Sequence, residues 1–275
     1  MTVAESLLVW ATASGRHPLA VYVALLASLL AVTWAGSQVL RRVCQRRCLG
    51  SAHRLEASFL NTVIAGAICI GVGLTIFSTL ALQLSDGHSA MREADQALSE
   101  ALRANLAPLA MTVFKTLTHL GDTFTLTALG VVVGILLGAG RHYRLALGWV
   151  VALAGNGAIN DGLKQLVGRA RPLLPVGGDI EPGYSFPSGH SSGITVACGM
   201  LAYLAFRLLP PRWHRPACFA AVTLIFTVGA SRVFLQVHFA SDVLAGFASG
   251  SVWLALCVIG LELFRPRGFG PRLLL

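Results

Sequence analysis

The chain has 275 residues, of which 55% are hydrophobic and only 12% are charged. Because soluble domains carry about 25% charged residues, this composition excludes a single water-soluble globule. It also excludes an intrinsically disordered chain, which requires low hydrophobicity. The 21 Lys and Arg residues against 12 Asp and Glu are scattered between uncharged runs, which disfavours nucleic-acid binding and indicates a membrane protein.

Seven apolar segments are predicted to cross the membrane. About 20 apolar residues of helix span a bilayer core, and shorter runs suffice where neighbouring helices bury their ends or where Lys and Arg snorkel. The predicted fold class is therefore all-α, a polytopic membrane helical bundle of about seven transmembrane helices. In chain order the segments are Pro18–Leu40, Ala57–Ser85, Thr123–Gly140, Leu145–Asn160, Gly189–Phe206, Pro216–Ser231 and Val243–Leu261.

The basic residues predict the orientation of these segments, since Lys and Arg of short loops remain cytoplasmic. Thirteen of the 21 fall on the side that carries the loop after the first segment and the C-terminus, and eight fall on the other side. We therefore expect the N-terminus outside and the C-terminus inside. The start of the chain lacks the pattern of a cleaved signal peptide, so the first segment is expected to be retained.

The long outer connection from Asp86 to Asp122 begins with polar residues and continues with an amphipathic stretch. Its uncharged run Ala104–Phe114 is too short to span, so it is interpreted as an interfacial or re-entrant helix. Two interpretations stay open. The connection forms a lid or the wall of a lipid access route beside an active site, or it simply lies on the bilayer surface.

The first group of polar residues at membrane depth is KQLVGRARP, which contains Lys164 and Arg171. If the helix continued, the two cations would share one face and suit several oxygens of one phosphoryl group. Pro172 is expected to end that helix. The alternative is that these cations only anchor the segment at lipid headgroups.

Three further polar residues precede this motif on the same predicted helix. Asp161 lies three residues before Lys164, so the carboxylate is predicted to pair with that lysine and to orient it, or else simply to reach the interface. Asn156 and Asn160 are interpreted as interhelical hydrogen-bonding residues without a catalytic part.

The second group, PSGHSSG, stands directly before an apolar run. Ser188 is predicted to be a helix N-cap, and Gly189 allows close backbone approach to a ligand. A helix N-terminus favours bound phosphate, and His190 in its first turn is placed to give a proton to a leaving oxygen. A simple cap before a membrane helix explains Ser188 but not His190.

The third group, SRVFLQVHFASD, lies between two segments. Arg232 is predicted to clamp phosphate oxygens. The spacing of His238 and Asp242 predicts one helix face, where the carboxylate fixes the imidazole tautomer and leaves the other nitrogen free to attack. The alternative is a structural His–Asp pair at a helix start. A metal site is disfavoured because the surrounding cations would repel a divalent ion, and no cofactor is expected.

Taken together, and all predicted on one membrane face, the three groups resemble the type 2 phosphatidic acid phosphatase family, relatives of vanadium haloperoxidases and of bacterial acid phosphatases. The resemblance spans roughly residues 95–261 and implies a six-helix phosphatase-like core. It implies that His238 is the nucleophile that forms a phosphohistidine, that Asp242 orients it, and that His190 is the general acid. The remaining motif residues are implied to form the phosphate cradle, namely Lys164, Arg171, Ser188, Gly189 and Arg232.

The resemblance also sets the expected domain organisation. Residues 1–56 form an extra membrane span with a basic cytoplasmic loop, and residues 57–94 form the second span and the start of the outer connection. Residues 95–264 form the catalytic domain, and residues 265–275 form a basic cytoplasmic tail.

The predicted function is hydrolysis of a lipid phosphate or diphosphate in a bacterial inner (cell) membrane, with the active site facing the periplasm or the outside. Polyprenyl diphosphate is the first choice of substrate, and phosphatidylglycerol phosphate, phosphatidate and lipid A phosphate remain open. A lipid phosphotransferase with the same intermediate is the alternative, followed by a vanadate peroxidase and by a transporter or a non-catalytic lipid-binding membrane protein. A transporter is disfavoured because it predicts polar residues near the bilayer midplane.

Overall fold

The computed structural model describes residues 2–46, 51–85, 89–172 and 183–264. These described ranges contain ten α-helices and two short 3₁₀ turns, His119–Gly121 and Pro211–Trp213. The α-helices are α1 (Val3–Arg16), α2 (Pro18–Arg46), α3 (Ser51–Ser85), α4 (Ala90–Asn105), α5 (Pro108–Thr118), α6 (Thr123–Ala139), α7 (Tyr143–Val167), α8 (Gly189–Leu208), α9 (His214–Phe234) and α10 (Ala240–Leu263).

Five of the described helices are long and apolar enough to cross a membrane: α2, α3, α8, α9 and α10. A sixth span results if α5 and α6, which are bent by 44° at Asp122, are counted together as one broken span. Alternatively this bent pair is a re-entrant loop. The predicted all-α membrane bundle is confirmed, and among the described helices five or six meet this test of length and hydropathy, against seven predicted segments.

The predicted segment that does not meet this test of length and hydropathy is α7, which has 25 residues but an interrupted apolar sequence. Asn156 and Asn160 lie within it, and both side chains are buried. Each donates to the hydroxyl of Ser192 on α8, at 3.3 and 3.2 Å. Their predicted interhelical hydrogen bonds are therefore confirmed, and the polar face that lowers the hydropathy of α7 is turned towards a neighbouring helix.

Helix α8 occupies the centre of the bundle and packs against α7, α9 and α10. Close approach depends on small residues, because a Cβ atom on Gly246 of α10 would lie 2.6 Å from the backbone oxygen of Ser188. Beyond the first turn of α8, an apolar cluster fills the space between α6, α7 and α8. Its buried members are Leu137, Trp149, Ala152, Val196, Met200 and Leu204.

The amphipathic helices α1 and α4 pack on each other, with Gly15 against Ala101. Helix α4 begins at the N-cap Ser89, whose hydroxyl accepts from the backbone N–H of Arg92. Helix α3 packs along α10, and α2 packs on α9. The expected domain boundaries after residues 56 and 94 fall inside α3 and α4, and the expected tail 265–275 lies outside the described residues.

Candidate active site

Helix α7 delivers the first motif, but not as a continuous helix. It ends at Val167, and Gly168 caps it in a left-handed conformation with φ of 62°, which glycine adopts without steric cost. Lys164 therefore lies in the last helical turn, whereas Arg171 lies in the loop beyond it. The expectation that Lys164 and Arg171 share one helix face is wrong, although both line the same cavity.

The second motif forms the N-terminus of α8 as predicted. Ser188 is the N-cap, and its hydroxyl accepts from the backbone N–H of Ser191 at 3.4 Å. Its own N–H donates to the backbone oxygen of Asp242 at 3.0 Å. Gly189 and His190 follow in the first turn, and a Cβ atom on Gly189 would approach the side-chain oxygen of Asn160 to 3.1 Å.

The third motif surrounds the turn between α9 and α10. Arg232 lies buried in the last turn of α9 and donates to the hydroxyl of Thr118 at 2.7 Å. His238 lies in the turn itself, and Asp242 is in the first turn of α10, where it accepts from the N–H of Phe239 at 2.9 Å. The prediction of a shared helix face for His238 and Asp242 is wrong, because the helix starts after the histidine.

The structure nevertheless brings His238 and Asp242 together. Their Nδ1 and Oδ2 atoms are 3.6 Å apart, and the hydroxyl of Ser185 lies between them, at 3.2 Å from Nδ1 and 2.5 Å from the carboxylate. A hydroxyl that donates to the carboxylate accepts from Nδ1–H, which assigns the proton of the neutral ring to Nδ1. Nε2 then accepts from the guanidinium of Arg171 at 3.1 Å.

The electrostatic surroundings keep His238 neutral. Burial lowers its pKa to about 4, and the positive charges of Arg171 and Arg232 act in the same direction, whereas Asp242 opposes them. A neutral imidazole whose Nε2 atom carries a lone pair is the form of histidine that attacks phosphorus.

Behind this histidine lies a buried network of charges that the sequence did not predict. Arg169 donates to Asp242 at 2.6 Å and to Asp95 of α4 at 2.8 Å. It also donates to the hydroxyl of Ser241, which itself hydrogen-bonds Asp95. The guanidinium lies 4.3 Å from the ring centre of Phe239. Burial raises the pKa of Asp95, against the opposing effect of Arg169.

A second contact from α4 fixes the turn that holds His238. The amide of Gln236 accepts from Arg103 at 3.2 Å and donates to the backbone oxygen of Ser99 at 2.6 Å. Gln236 has a φ of 55°, which is uncommon for a residue with a side chain. One face of helix α4, which the sequence predicted as a lid, an access wall or a surface helix, therefore supports the turn that carries His238, while its other face is exposed.

His190 faces a carboxylate that the sequence analysis assigned no role. Its Nε2 atom lies 2.7 Å from one oxygen of Asp122, and the other oxygen lies 2.6 Å from Nδ1 of His119. Asp122 connects the 3₁₀ turn His119–Gly121 to α6, and its side chain does not cap α6.

One cavity of about 870 Å³ connects the motif residues with an apolar groove between α6 and α7. Val131, Ile135 and Val150 on the groove are about half exposed or more, so the groove opens to the outer surface of the bundle. The polar end contains Asn160, Asp161, Lys164, Arg171, Gly189, His190 and His238. The apolar end contains Leu126, Gly130, Val131, Gly134, Ile135, Trp149, Val150 and Leu153.

All eight predicted site residues therefore meet at one end of the bundle, whereas four important neighbours were missed. Arg169 lies inside the first motif, but its spacing did not distinguish it from a headgroup anchor. Ser185, Asp95 and Asp122 belong to no local pattern, and only the tertiary contacts reveal them.

Comparison with known proteins identifies the family to which the chain belongs. Residues 145–265 match the model of the PAP2 superfamily, a shorter stretch than the catalytic domain expected from the sequence. The chain is 32% identical over 165 residues to phosphatidylglycerophosphatase B of Bacillus subtilis. The aligned stretch covers 59% of this chain and 80% of that protein.

Two further relatives and one solved structure extend the comparison. The decaprenylphosphoryl-5-phosphoribose phosphatase of Mycobacterium tuberculosis is 33% identical over 49% of this chain and 71% of its own length. The lipid A 1-phosphatase of Rhizobium johnstonii is 33% identical over 37% and 41%, respectively. The crystal structure of a transmembrane PAP2 type phosphatidylglycerolphosphate phosphatase from Bacillus subtilis superposes with a TM-score of 0.67 and 28% identity, covering 73% of this chain and 98% of that one.

Proposed function

Because the chain belongs to the PAP2 superfamily, we propose that it is an integral membrane phosphatase that hydrolyses a lipid phosphate or diphosphate. The observation that carries this proposal is the shape of the cavity. Its polar end holds two histidines and two cations, and its other end is an apolar groove open to the outside of the bundle. A phosphate headgroup and its hydrocarbon chain fit these two ends, respectively.

In the first chemical step the Nε2 atom of His238 attacks phosphorus and the bond to the leaving oxygen breaks. His190 gives its proton to that oxygen, so that the products are a phosphohistidine and a lipid alcohol, or a lipid monophosphate if the substrate is a diphosphate. Lys164, Arg171 and Arg232 stabilise the charge on the transferred phosphoryl oxygens, as phosphoryl transfer requires. The N-terminus of α8, which is the positive end of the helix dipole, adds to this stabilisation.

In the second step water attacks the phosphohistidine and the bond between phosphorus and Nε2 breaks. His190, now neutral, takes a proton from the water and returns to its starting form. Free phosphate leaves, and His238 is again the neutral imidazole that its buried surroundings favour. Asp242 and Ser185 hold the ring in one orientation through both steps.

The decisive experiment measures phosphate release by the purified protein in detergent. The panel contains polyprenyl diphosphate, which we test first, then phosphatidylglycerol phosphate, phosphatidate and lipid A phosphate. We expect release from at least one lipid and its loss in His238→Gln. Full activity of His238→Gln would overturn the nucleophile, and a ³²P label that passes to a second lipid instead of to free phosphate would establish a phosphotransferase.

The same assay tests the part played by metals. We propose that the three cations supply the charge stabilisation, so that activity persists in chelator and is inhibited by vanadate. Within the described residues no group of three or more His, Cys, Asp or Glu residues could hold a metal ion. Abolition of activity by chelator would contradict this part of the proposal.

The groove is tested by filling it. Gly134 lines the cavity, and its Cβ position lies 4.0 Å from Trp149 and Val150, so the side chain of Gly134→Leu would project into the groove. We expect roughly tenfold lower kcat/KM for a long-chain lipid phosphate, because remote contacts assist the reaction, and little change for a short soluble phosphate. Gly138→Leu, one turn further on and outside the cavity, is the matched control.

We also propose that the site end of the bundle faces the outside of a bacterial inner membrane. In a background without the six native cysteines, Glu100→Cys on α4 should react with an impermeant maleimide added to intact cells. Tyr143→Cys, at the other end of α7 from Lys164, should react only after the cells are opened. The reverse pattern would place the active site inside.

A further inference from the structure

We propose that Asp122 is a positioning residue that keeps His190 protonated and correctly oriented for its role as general acid. This inference rests on the proposed function, because it concerns the proton that His190 gives to the leaving oxygen. It goes beyond the family motifs, since Asp122 lies outside all three of them and before the stretch matched by the family model.

The first support is the geometry of the carboxylate. One oxygen of Asp122 lies 2.7 Å from Nε2 of His190, and the other lies 2.6 Å from Nδ1 of His119. A carboxylate held at both oxygens cannot easily rotate away. Asp122 stands at the N-cap position of α6, where such a side chain normally accepts from the helix, but it makes no capping hydrogen bond. It is turned towards the histidine instead.

The second support is the packing of the turn that carries the aspartate. A Cβ atom on Gly121 would lie 3.2 Å from Cδ2 of His190 and 2.6 Å from a methyl group of Val228. The 3₁₀ turn is therefore packed directly against the imidazole. The side chain of Asp122 is 35% exposed, that of His190 is 17% exposed and that of His119 is 63% exposed. Exposure to solvent therefore increases from His190, which lines the cavity, through Asp122 to His119 at the surface.

The third support is the balance of charge around the cavity. Lys164 and Arg171 line it together with His190, and Arg232 lies close enough to act on His238. Positive neighbours disfavour a second proton on an imidazole. Two carboxylates oppose these positive charges: Asp161 lines the cavity but is exposed, and Asp242 lies behind His238. The carboxylate of Asp122 is in direct contact with His190, at 2.7 Å.

In chemical terms, the charged His190 loses one proton to the leaving oxygen while the bond from that oxygen to phosphorus breaks. The neutral ring recovers a proton from the water that attacks the phosphohistidine. Asp122 stays ionised in both steps and exchanges no atoms with the substrate. It stabilises the charged ring before the first step and after the second.

The experiment compares two leaving groups in wild type and in Asp122→Asn, which keeps the shape and removes the charge. An alkyl or prenyl alcohol leaves poorly without a proton, whereas p-nitrophenol leaves readily. For the lipid phosphate we expect kcat/KM to fall roughly 10- to 100-fold, within the usual range for general acid catalysis. For p-nitrophenyl phosphate we expect a change of at most about threefold, because no proton is needed there.

Three companion variants interpret the result. His190→Gln should show the same dependence on leaving group more strongly, and adding Asp122→Asn to it should cause little further loss. Glu100→Gln, whose carboxylate accepts from Gln96 on an exposed face of α4, should behave as wild type. Equal losses for both phosphates in Asp122→Asn would indicate a merely structural role and overturn the inference.

Failure of the inference can be told from failure of the proposed function. If wild type releases phosphate and His190→Gln shows the leaving-group dependence but Asp122→Asn does not, only the inference fails. If wild type acts on no phosphate, the proposed function fails, and an NMR titration of ¹³C-labelled histidine still tests the pair. The His190 signal, assigned by its loss in His190→Gln, should titrate at lower pH in Asp122→Asn, and an unchanged midpoint would overturn the pairing.

Discussion

Mean hydropathy alone indicates that α2 is more buried in the bundle than α8, and the structure shows the opposite. The apolar window of α2 has a mean hydropathy of 2.0 and none of its residues are buried in the bundle. The window of α8 has a mean hydropathy of only 1.3, the lowest of the five spans, and 61% of it is buried. The less apolar helix occupies the centre and carries residues of the candidate active site.

The physical reason is that lipid tails are as apolar as leucine, so hydropathy does not drive a helix into the interior of a membrane bundle. Small and hydroxylated residues do, because they allow close packing and interhelical hydrogen bonds. The buried part of α8 contains Ser191, Ser192, Gly193 and Thr195. Polar content at membrane depth therefore marks both the centre of the bundle and the site.

The largest effect is expected from filling the contact between α8 and α10. Gly246→Leu would place a Cβ atom 2.6 Å from the backbone oxygen of Ser188, and a backbone atom cannot rotate away. Overpacking typically costs roughly 1–3 kcal/mol and occasionally more; because the blocked atom here belongs to the backbone, we expect complete loss of the folded, active enzyme by size-exclusion chromatography and assay. Gly36→Leu in α2, where no atom lies within 4 Å, should be neutral. Equal tolerance at both positions would break the comparison.

The next largest effect concerns the buried charges beside the core. Asp95→Asn removes one of two carboxylates that contact Arg169, whose side chain is 4% exposed. Removing one partner of a buried pair costs roughly 4 kcal/mol, which we expect as a lower unfolding midpoint in detergent. A fall in kcat should accompany it, because Arg169 also binds Asp242. Glu93→Gln, on the exposed face of the same helix, should change neither quantity.

The pH dependence of stability isolates the contribution of His238. Its pKa is lowered to about 4 by burial, against an ordinary value of about 6.5. Above pH 6.5 both folded and unfolded states carry the neutral ring. As the pH falls from 6.5 to about 4, only the unfolded state takes up the proton, and stability falls by about 3 kcal/mol in total.

The check is the difference between wild type and His238→Gln, measured as unfolding midpoints in detergent between pH 4 and 8. We expect the wild type to lose stability relative to the variant across the window from 6.5 to 4. Parallel curves would show that folding does not shift the pKa of His238, which would contradict the burial of its side chain.

These effects also separate what the sequence could predict from what it could not. Ser188 and His190 lie at the start of α8, and a helix start can be predicted from the local sequence. The contact of Arg169 with Asp95 joins residues 74 positions apart, and no periodicity connects them. Helix α7 ends before Arg171 because Gly168 adopts a left-handed conformation. The helical spacing of Lys164 and Arg171 does not reveal that backbone conformation.

The smallest effect is expected where α2 meets the bundle. The hydroxyl of Tyr22 is 2.8 Å from that of Thr227 on α9, and its ring packs on Phe114 and Phe226 with centroids 5.3 and 5.4 Å apart. Tyr22→Phe keeps the ring contacts and removes the hydrogen bond, which within membranes is worth about 0.6 kcal/mol. We expect a barely lowered unfolding midpoint and unchanged kcat.

The matched variant Tyr22→Ala removes the ring as well and should loosen α2 without affecting phosphate release, since none of these contacts reaches His190 or His238. Protease sensitivity of α2 in detergent measures that loosening directly. If Tyr22→Ala instead lowered kcat as strongly as Asp95→Asn does, the packing of α2 would support catalysis as the buried contacts of Asp95 do. Neither the high mean hydropathy of α2 nor the exposure of its surface would then show whether a helix affects catalysis.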